Sequence, residues 1–226
     1  MTASSAAVLW TGGKDCVLAL HFAKKEELSI NLLITFAPKN ADFLAHPIKV
    51  LKLQAEAIGI PHRIIEINEP YKESYENAIA HLKDEGIDLL ISGDIDEVNS
   101  YPNWIKERSA VSGMGVYAPL WQLDRKDLLN ELVNRNFKVI FSLVRKPWFT
   151  RSWVGDLITS AKIDQLSMFK ELKGIDLSGE QGEYHTLVLD CPAFAKAIVI
   201  DKSSIEEKDD MYYLRLEEIT LKDKGK

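Results

Sequence analysis

The chain of 226 residues is 46% hydrophobic and 27% charged, enough to bury a sizeable core in one large or two small domains. Lys and Arg total 28 against 34 Asp and Glu, a net charge of −6 with no long basic stretch, which argues against sequence-independent coating of DNA. Cys16 and Cys191 lack Cys-x-x-Cys spacing, Met1–Ala7 has no basic segment, and no apolar run nears the roughly 18 residues of a membrane span, so a zinc ribbon, a disulfide framework, export and membrane insertion are not indicated and a reducing cytoplasm fits.

In chain order, strand-like runs at Ala6–Trp10, Ser29–Phe36, His62–Ile67, Asp88–Ser92 and Gly115–Ala118 alternate with helix-like stretches at Asp15–Lys25, Pro47–Ile58 and Tyr71–Glu85. That alternation predicts β-α-β units on a parallel sheet, with Gly59 and Gly86 closing helices. After Pro119-Leu-Trp121 the texture changes. Asp124–Asn134 and Asp164–Leu172 read as helices, and Phe137–Leu143, Thr186–Leu189, Ala195–Ile200 and Met211–Glu217 as strands. We therefore expect an α/β nucleotide-binding domain over 1–124 and a smaller α+β domain over 125–226, with a polar tail from Lys222. The charge run Glu206–Asp210 reads as an exposed turn.

Between the first strand and helix lies Thr11-Gly12-Gly13-Lys14-Asp15-Cys16. Glycine permits a tight turn and close ligand approach, and backbone amides beside an open helix N-terminus are donors for an anion, so the turn reads as a phosphate site. It is neither a Gly-Lys-Ser/Thr P-loop nor a dinucleotide fingerprint, which needs a third glycine. It resembles the Ser-Gly-Gly-x-Asp-Ser pyrophosphate loop (PP-loop) of the ATP pyrophosphatases, with Thr11 keeping a hydroxyl and Cys16 replacing one by a weak thiol donor.

The second informative stretch is Ser178-Gly-Glu180-Gln-Gly-Glu183-Tyr-His185-Thr186. On an extended segment Glu183 and His185 project to one face, where they could hold magnesium or an amine, or move a proton; a polar hairpin in which they pair with each other or face solvent is the alternative. Gly179 to Val188 is similar to the Gly-Glu-x-Gly-Glu-Phe-(His/Glu)-Thr signature of the diphthine-ammonia ligase family. Gly93-Asp94-Ile95, Pro119-Leu-Trp121, Phe137-Lys138 and Ser152-Trp-Val-Gly155 follow that family's order, so the likeness covers essentially the whole chain.

The resemblance implies an adenine nucleotide α-hydrolase-like (HUP, PP-loop) first domain with an acceptor-binding second one. It implies a ligase that joins AMP to a carboxylate, releases pyrophosphate, and lets ammonium displace AMP. The acceptor in the family is diphthine on elongation factor 2. ATP contacts are then expected from Thr11, Gly12, Gly13, Lys14, Asp15, Cys16, His46, Gly93 and Asp94, with a solvent-facing histidine before the helix-starting Pro47 as the alternative for His46. Asp15 would hold Mg2+ or cap the helix, and Glu180, Glu183 and His185 would bind the acceptor or take the proton from ammonium. A second copy of the chain is carried as a candidate partner. The Asp96–Arg108 stretch lacks the family's Ser-x-Tyr-Gln-x-x-Arg pattern and looks like the Gly-Asp-Ile variant of bacterial relatives, leaving diphthine and another carboxylate open as acceptor. A PP-loop enzyme acting on a metabolite or RNA, and a non-catalytic nucleotide sensor, are the rival readings.

Among the remaining candidates, His21, His62 and His81 read as helix-surface or strand-edge residues. Trp104, Trp121, Trp148 and Trp153 read as core anchors or stacking platforms, and Arg145, Lys146 and Arg151 as a solvated loop or a small patch for an anionic acceptor or RNA.

Overall fold

The computed structural model describes residues 5–97 and 103–225. Residues 1–4 of the segment read for targeting signals, 98–102 of the Asp96–Arg108 stretch, and the final residue of the polar tail lie outside the described residues. In chain order the elements are β1 (Ser5–Leu9), α1 (Lys14–Lys25), β2 (Ser29–Ala37), α2 (Ile48–Ile58), β3 (His62–Glu66), α3 (Tyr71–Asp84), β4 (Leu89–Ile91), α4 (Trp104–Ala110), β5 (Gly115–Tyr117), α5 (Arg125–Asn134), β6 (Lys138–Arg145), α6 (Ser160–Lys173), β7 (Tyr184–Asp190), β8 (Lys196–Lys208) and β9 (Met211–Asp223). They fall into two compact units that do not follow chain order: residues 12–14 and 43–59 group with 123–226, leaving 1–11, 15–42 and 60–122 as the first unit.

The first unit is a parallel sheet in the order β3-β2-β1-β4-β5. A central strand covered on both faces needs an unbroken apolar run, and in β1 Ala6, Ala7 and Val8 are fully buried. Ala7, Ile34 and Leu90 on the sheet pack with Ile79 and Leu82 of α3 and Ile105 of α4. The order reverses between β1 and β4, and in such sheets ligands bind beyond the carboxyl ends of the strands at the reversal. Thr11 follows β1 and Gly93-Asp94 follows β4, so two separated motifs reach one edge of the sheet.

Helix α4 was not expected from sequence: seven residues are too few for a periodic signal, although Asn103 Oδ1 caps it by accepting from Lys106 N at 3.1 Å. Trp104 on this helix is 39% exposed and meets the Tyr75 ring edge-on, so it is not a core anchor. Trp121 is half-buried beside fully buried Leu120, which does the anchoring that Trp121 was expected to do. His62 lies on edge strand β3 with Nε2 2.8 Å from Thr35 Oγ1, and exposed His81 of α3 lies 3.2 Å from Glu85 just past the helix end, as their sequence context suggested.

The second unit is an antiparallel sheet in the order β7-β6-β9-β8 with α2, α5 and α6. Residues 139–144 of β6 are all buried. Strands β8 and β9 run thirteen residues each, well beyond the expected spans, and carry Glu206–Lys208 inside β8 with the turn only at Asp209-Asp210. Charge hid this extension: on a strand with two solvated faces, polar residues satisfy themselves across the ladder, as Glu206 does with the Tyr213 hydroxyl at 2.5 Å and Glu207 with Lys146 at 2.5 Å. Helix α6 starts at Ser160, four residues early, because the Thr159 hydroxyl caps it at Lys162 N. Trp153 is the one expected anchor that is buried, inside a ring cluster with Phe141, Phe149 and Phe169.

Candidate functional site

In the first unit, the loop after β1 and the segment after β4 meet backbone to backbone. A Cβ added at Gly93 would stand 2.7 Å from both Asp15 C and Cys16 N, so only glycine lets this chain pass the start of α1. The Thr11 hydroxyl lies 3.6 Å from the Cys16 sulfur, and Cys16 is buried at 5% exposure. Burial raises the Asp94 carboxyl above its ordinary range and the neighbouring Asp15 charge adds to this, against a lowering hydrogen bond from Ser92. Asn103 Nδ2 approaches Asp94 Oδ2 at 3.5 Å.

The second unit holds the middle of the same loop, residues 12–14. Gly12 has φ +75°, and its carbonyl accepts from Val188 N at 3.1 Å and Gln54 Nε2 at 2.9 Å. The fully buried Gln54 amide also donates to Val188 O at 2.8 Å. Sequence reasoning passed over Gln54 because a polar residue on an amphipathic helix reads as solvent-facing. Its replacement by Leu leaves the Val188 carbonyl without that donor; we expect about 1–3 kcal/mol lost in urea unfolding, more than Lys52→Leu on the exposed side of the same helix.

Lys14 is 3% exposed and has protein partners at both ends: its backbone N donates to Thr186 Oγ1 at 3.0 Å and its Nζ to Ser178 O at 2.6 Å, with the Tyr184 ring 5.5 Å away. The amide and ammonium expected to face an anion are thus engaged with the 178–186 segment. A Cβ at Gly13 would meet Thr186 O at 3.3 Å and His46 Cε1 at 3.4 Å.

Glu183 and His185 do not act as a pair. Residue 183 precedes β7, so strand alternation does not apply to it, and its buried carboxylate turns into the loop to accept from Asp176 N at 2.7 Å and Gln181 N at 3.1 Å. His185, on β7, stands edge-on to the His46 ring at 5.4 Å. Burial first, then the Lys14 and Arg145 charges, lowers its pKa to about 4, so at neutral pH it is an uncharged imidazole. Glu180 is half-buried in the turn with its backbone N 3.4 Å from Asp176 Oδ1.

Arg145, Lys146 and Arg151 are each engaged by the β8–β9 hairpin, at Asp210, Glu207 and Ile205 O respectively, which disfavours an open basic patch. Cys191 is buried and its thiol is pushed up to about 11, the range of an inert structural cysteine. Among the described residues no group of three or more His, Cys, Asp or Glu side chains is placed to hold a metal, and no helix is long and apolar enough to cross a membrane.

A parallel sheet ordered β3-β2-β1-β4-β5 with helices packed on it gives the first unit a HUP-like α/β fold. Profiles of the diphthamide synthase N-terminal and C-terminal domains match residues 4–115 and 124–221, and the chain belongs to this family. Diphthine–ammonia ligase of Mus musculus is 34% identical over 113 residues, covering 47% of this chain and 42% of the relative. The Schizosaccharomyces pombe enzyme of that name is 36% identical over 107 residues, 46% of this chain and 17% of the relative. The chain thus spans less than half of these relatives, whereas the Danio rerio protein of the same name is 24% identical over 78% of this chain and 76% of its own length. A Methanocaldococcus jannaschii structure described as a predicted subunit of tRNA methyltransferase shares the fold, with a TM-score of 0.50 and 18% identity over 84% of this chain and 98% of its own.

Proposed function

We propose that this protein is an AMP-forming ligase that activates a carboxylate with ATP and amidates it with ammonium. The observation that carries the reading is that both family domains match in order along the chain, with the glycine loop at the reversal point of the sheet. A carboxylate oxygen attacks the α-phosphorus of ATP, the bond to the bridging oxygen breaks, and pyrophosphate leaves with that electron pair. Ammonia then bonds to the acyl carbon, sheds a proton, and expels AMP.

The loop from Thr11 to Cys16 would orient the departing pyrophosphate, a fixed electrostatic role, with the Lys14 amide held by the Thr186 hydroxyl and so not counted among its donors. Asp15 and Asp94 would hold Mg2+; burial first, and then the neighbouring Asp15 charge, raises the Asp94 carboxyl, which fits a hard cation that needs only one or two carboxylates when phosphate oxygens supply the rest. When bound, the ion would neutralise developing phosphate charge. Glu183 has both oxygens committed to backbone amides, and His185 is too weak a base to deprotonate ammonium. Glu180 is the carboxylate of this turn that we assign to binding ammonium, with the His46 ring and the uncharged His185 imidazole as hydrogen-bonding walls. The acceptor in this reading is a carboxylate, that of diphthine, which the relatives' names carry, borne on elongation factor 2 as the sequence resemblance implies.

The test is AMP release from ATP with magnesium and ammonium, with and without elongation factor 2 bearing unamidated diphthine. AMP that depends on this acceptor is the expected result. ATP binding with no acceptor-dependent AMP rejects diphthine and leaves a different carboxylate or a nucleotide sensor.

A further inference from the structure

The turn that precedes β7 is stitched by two carboxylates working in opposite directions. Asp176 Oδ1 accepts from Ser178 N at 2.8 Å and Glu180 N at 3.4 Å, while Glu183 reaches back to accept from Asp176 N and Gln181 N. The other Asp176 oxygen, Oδ2, meets Arg125 Nε at 3.1 Å, with the two side chains 16% and 23% exposed. Arg125 is the first residue of α5, whose start is itself fixed by Asp124 accepting from Lys126 N and Asp127 N. The guanidinium therefore projects from a rigid helix end onto the turn.

What the turn presents is the carbonyl of Ser178, and this carbonyl accepts the buried Lys14 ammonium at 2.6 Å. A buried ammonium is costly without oriented acceptors, so its position depends on the oxygens that hold it, the Ser178 carbonyl among them. We propose that Arg125 and Asp176 are positioning residues for Lys14: their ion pair fixes the Ser178 carbonyl, and that carbonyl sets where the ammonium of the glycine loop sits. Neither acts on substrate directly. The consequence for nucleotide affinity rests on the reading of the loop as a phosphate site; the placement of Lys14 does not.

The experiment uses the full chain and separates the two. Lys14 acetylation under a brief pulse of acetic anhydride is followed by mass spectrometry in Asp176→Ala, Arg125→Ala and Arg125→Lys, each checked for native circular dichroism, alongside the His185 titration by NMR and MgATP binding. In both alanine variants we expect Lys14 labelling to rise by about tenfold, the scale of one lost charge-assisted hydrogen bond, and the His185 midpoint to climb from about 4 as the Lys14 charge moves away. Arg125→Lys, which keeps a cation toward Asp176, should restore protection. A folded Arg125→Ala or Asp176→Ala in which Lys14 stays protected and His185 unmoved overturns the proposal. Should Asp176→Ala fail to fold, Arg125→Ala decides alone, because it leaves the carboxylate's bonds to the turn in place. Lys14 exposed with MgATP affinity unchanged upholds the positioning and rejects the loop as a phosphate site.

Discussion

Gly93→Ala is expected to weaken MgATP binding by at least about tenfold and to lower the unfolding midpoint by several degrees, the scale of the roughly 1–3 kcal/mol typical of overpacking. The added methyl would sit 2.7 Å from Asp15 C and Cys16 N and 2.9 Å from Asp15 O. All three are backbone atoms at the start of α1, so no rotamer change relieves the clash and either the end of β4 or the start of the helix must move. Those are the segments that carry Asp94 and Asp15. Gly59→Ala is the matched comparison: its Cβ would meet nothing within 4 Å, but its φ of +75° strains a side chain. It should cost stability and leave MgATP affinity intact. Isothermal titration of both variants checks the contrast, and a Gly93→Ala protein that binds MgATP like the wild type would detach this crossing from the nucleotide site.

The parts of the fold that were legible in the sequence are those where one physical signal dominates. Residues 6–8 and 139–144 form continuous buried runs, and the strands they mark were found to within two or three residues. The glycine loop announced itself through its flanking strand and helix. The rest depended on partners far away in the chain. Gln54 acquires its role from carbonyls at 12 and 188, and Lys14 from a carbonyl at 178, neither of which any local window contains. Glu183 shows the opposite error. Its spacing from His185 suggested a shared face, but the turn needed an acceptor for two backbone amides and took the carboxylate first. Thr186, inside a signature noticed for its acidic residues, supplies the hydroxyl that receives the Lys14 amide.

His185 gives the second large effect, through pH. Its pKa in the folded chain, about 4, lies below the ordinary 6.5, with burial as the leading cause and the Lys14 and Arg145 charges behind it. Below pH 6.5 the unfolded chain takes up a proton on this imidazole and the folded chain does not, so the stability tied to its neutral form is present above 6.5 and lost as pH falls toward 4. The difference between 6.5 and about 4 corresponds to at most about 3 kcal/mol. Urea unfolding of wild type and His185→Gln from pH 7 to 4 isolates that contribution, since the variant keeps every other titrating group; we expect the wild type to lose more stability over the window by an amount approaching that figure. Equal acid sensitivity of the two proteins would mean that His185 titrates normally and that solvent reaches it. The same imidazole also reports on ligand: a pyrophosphate group held by the loop would offset the Lys14 and Arg145 charges, so MgATP should raise the His185 midpoint in NMR titration. An unmoved midpoint at saturating MgATP would place the phosphates away from Lys14 and turn the search for their site toward Asp15 and Asp94.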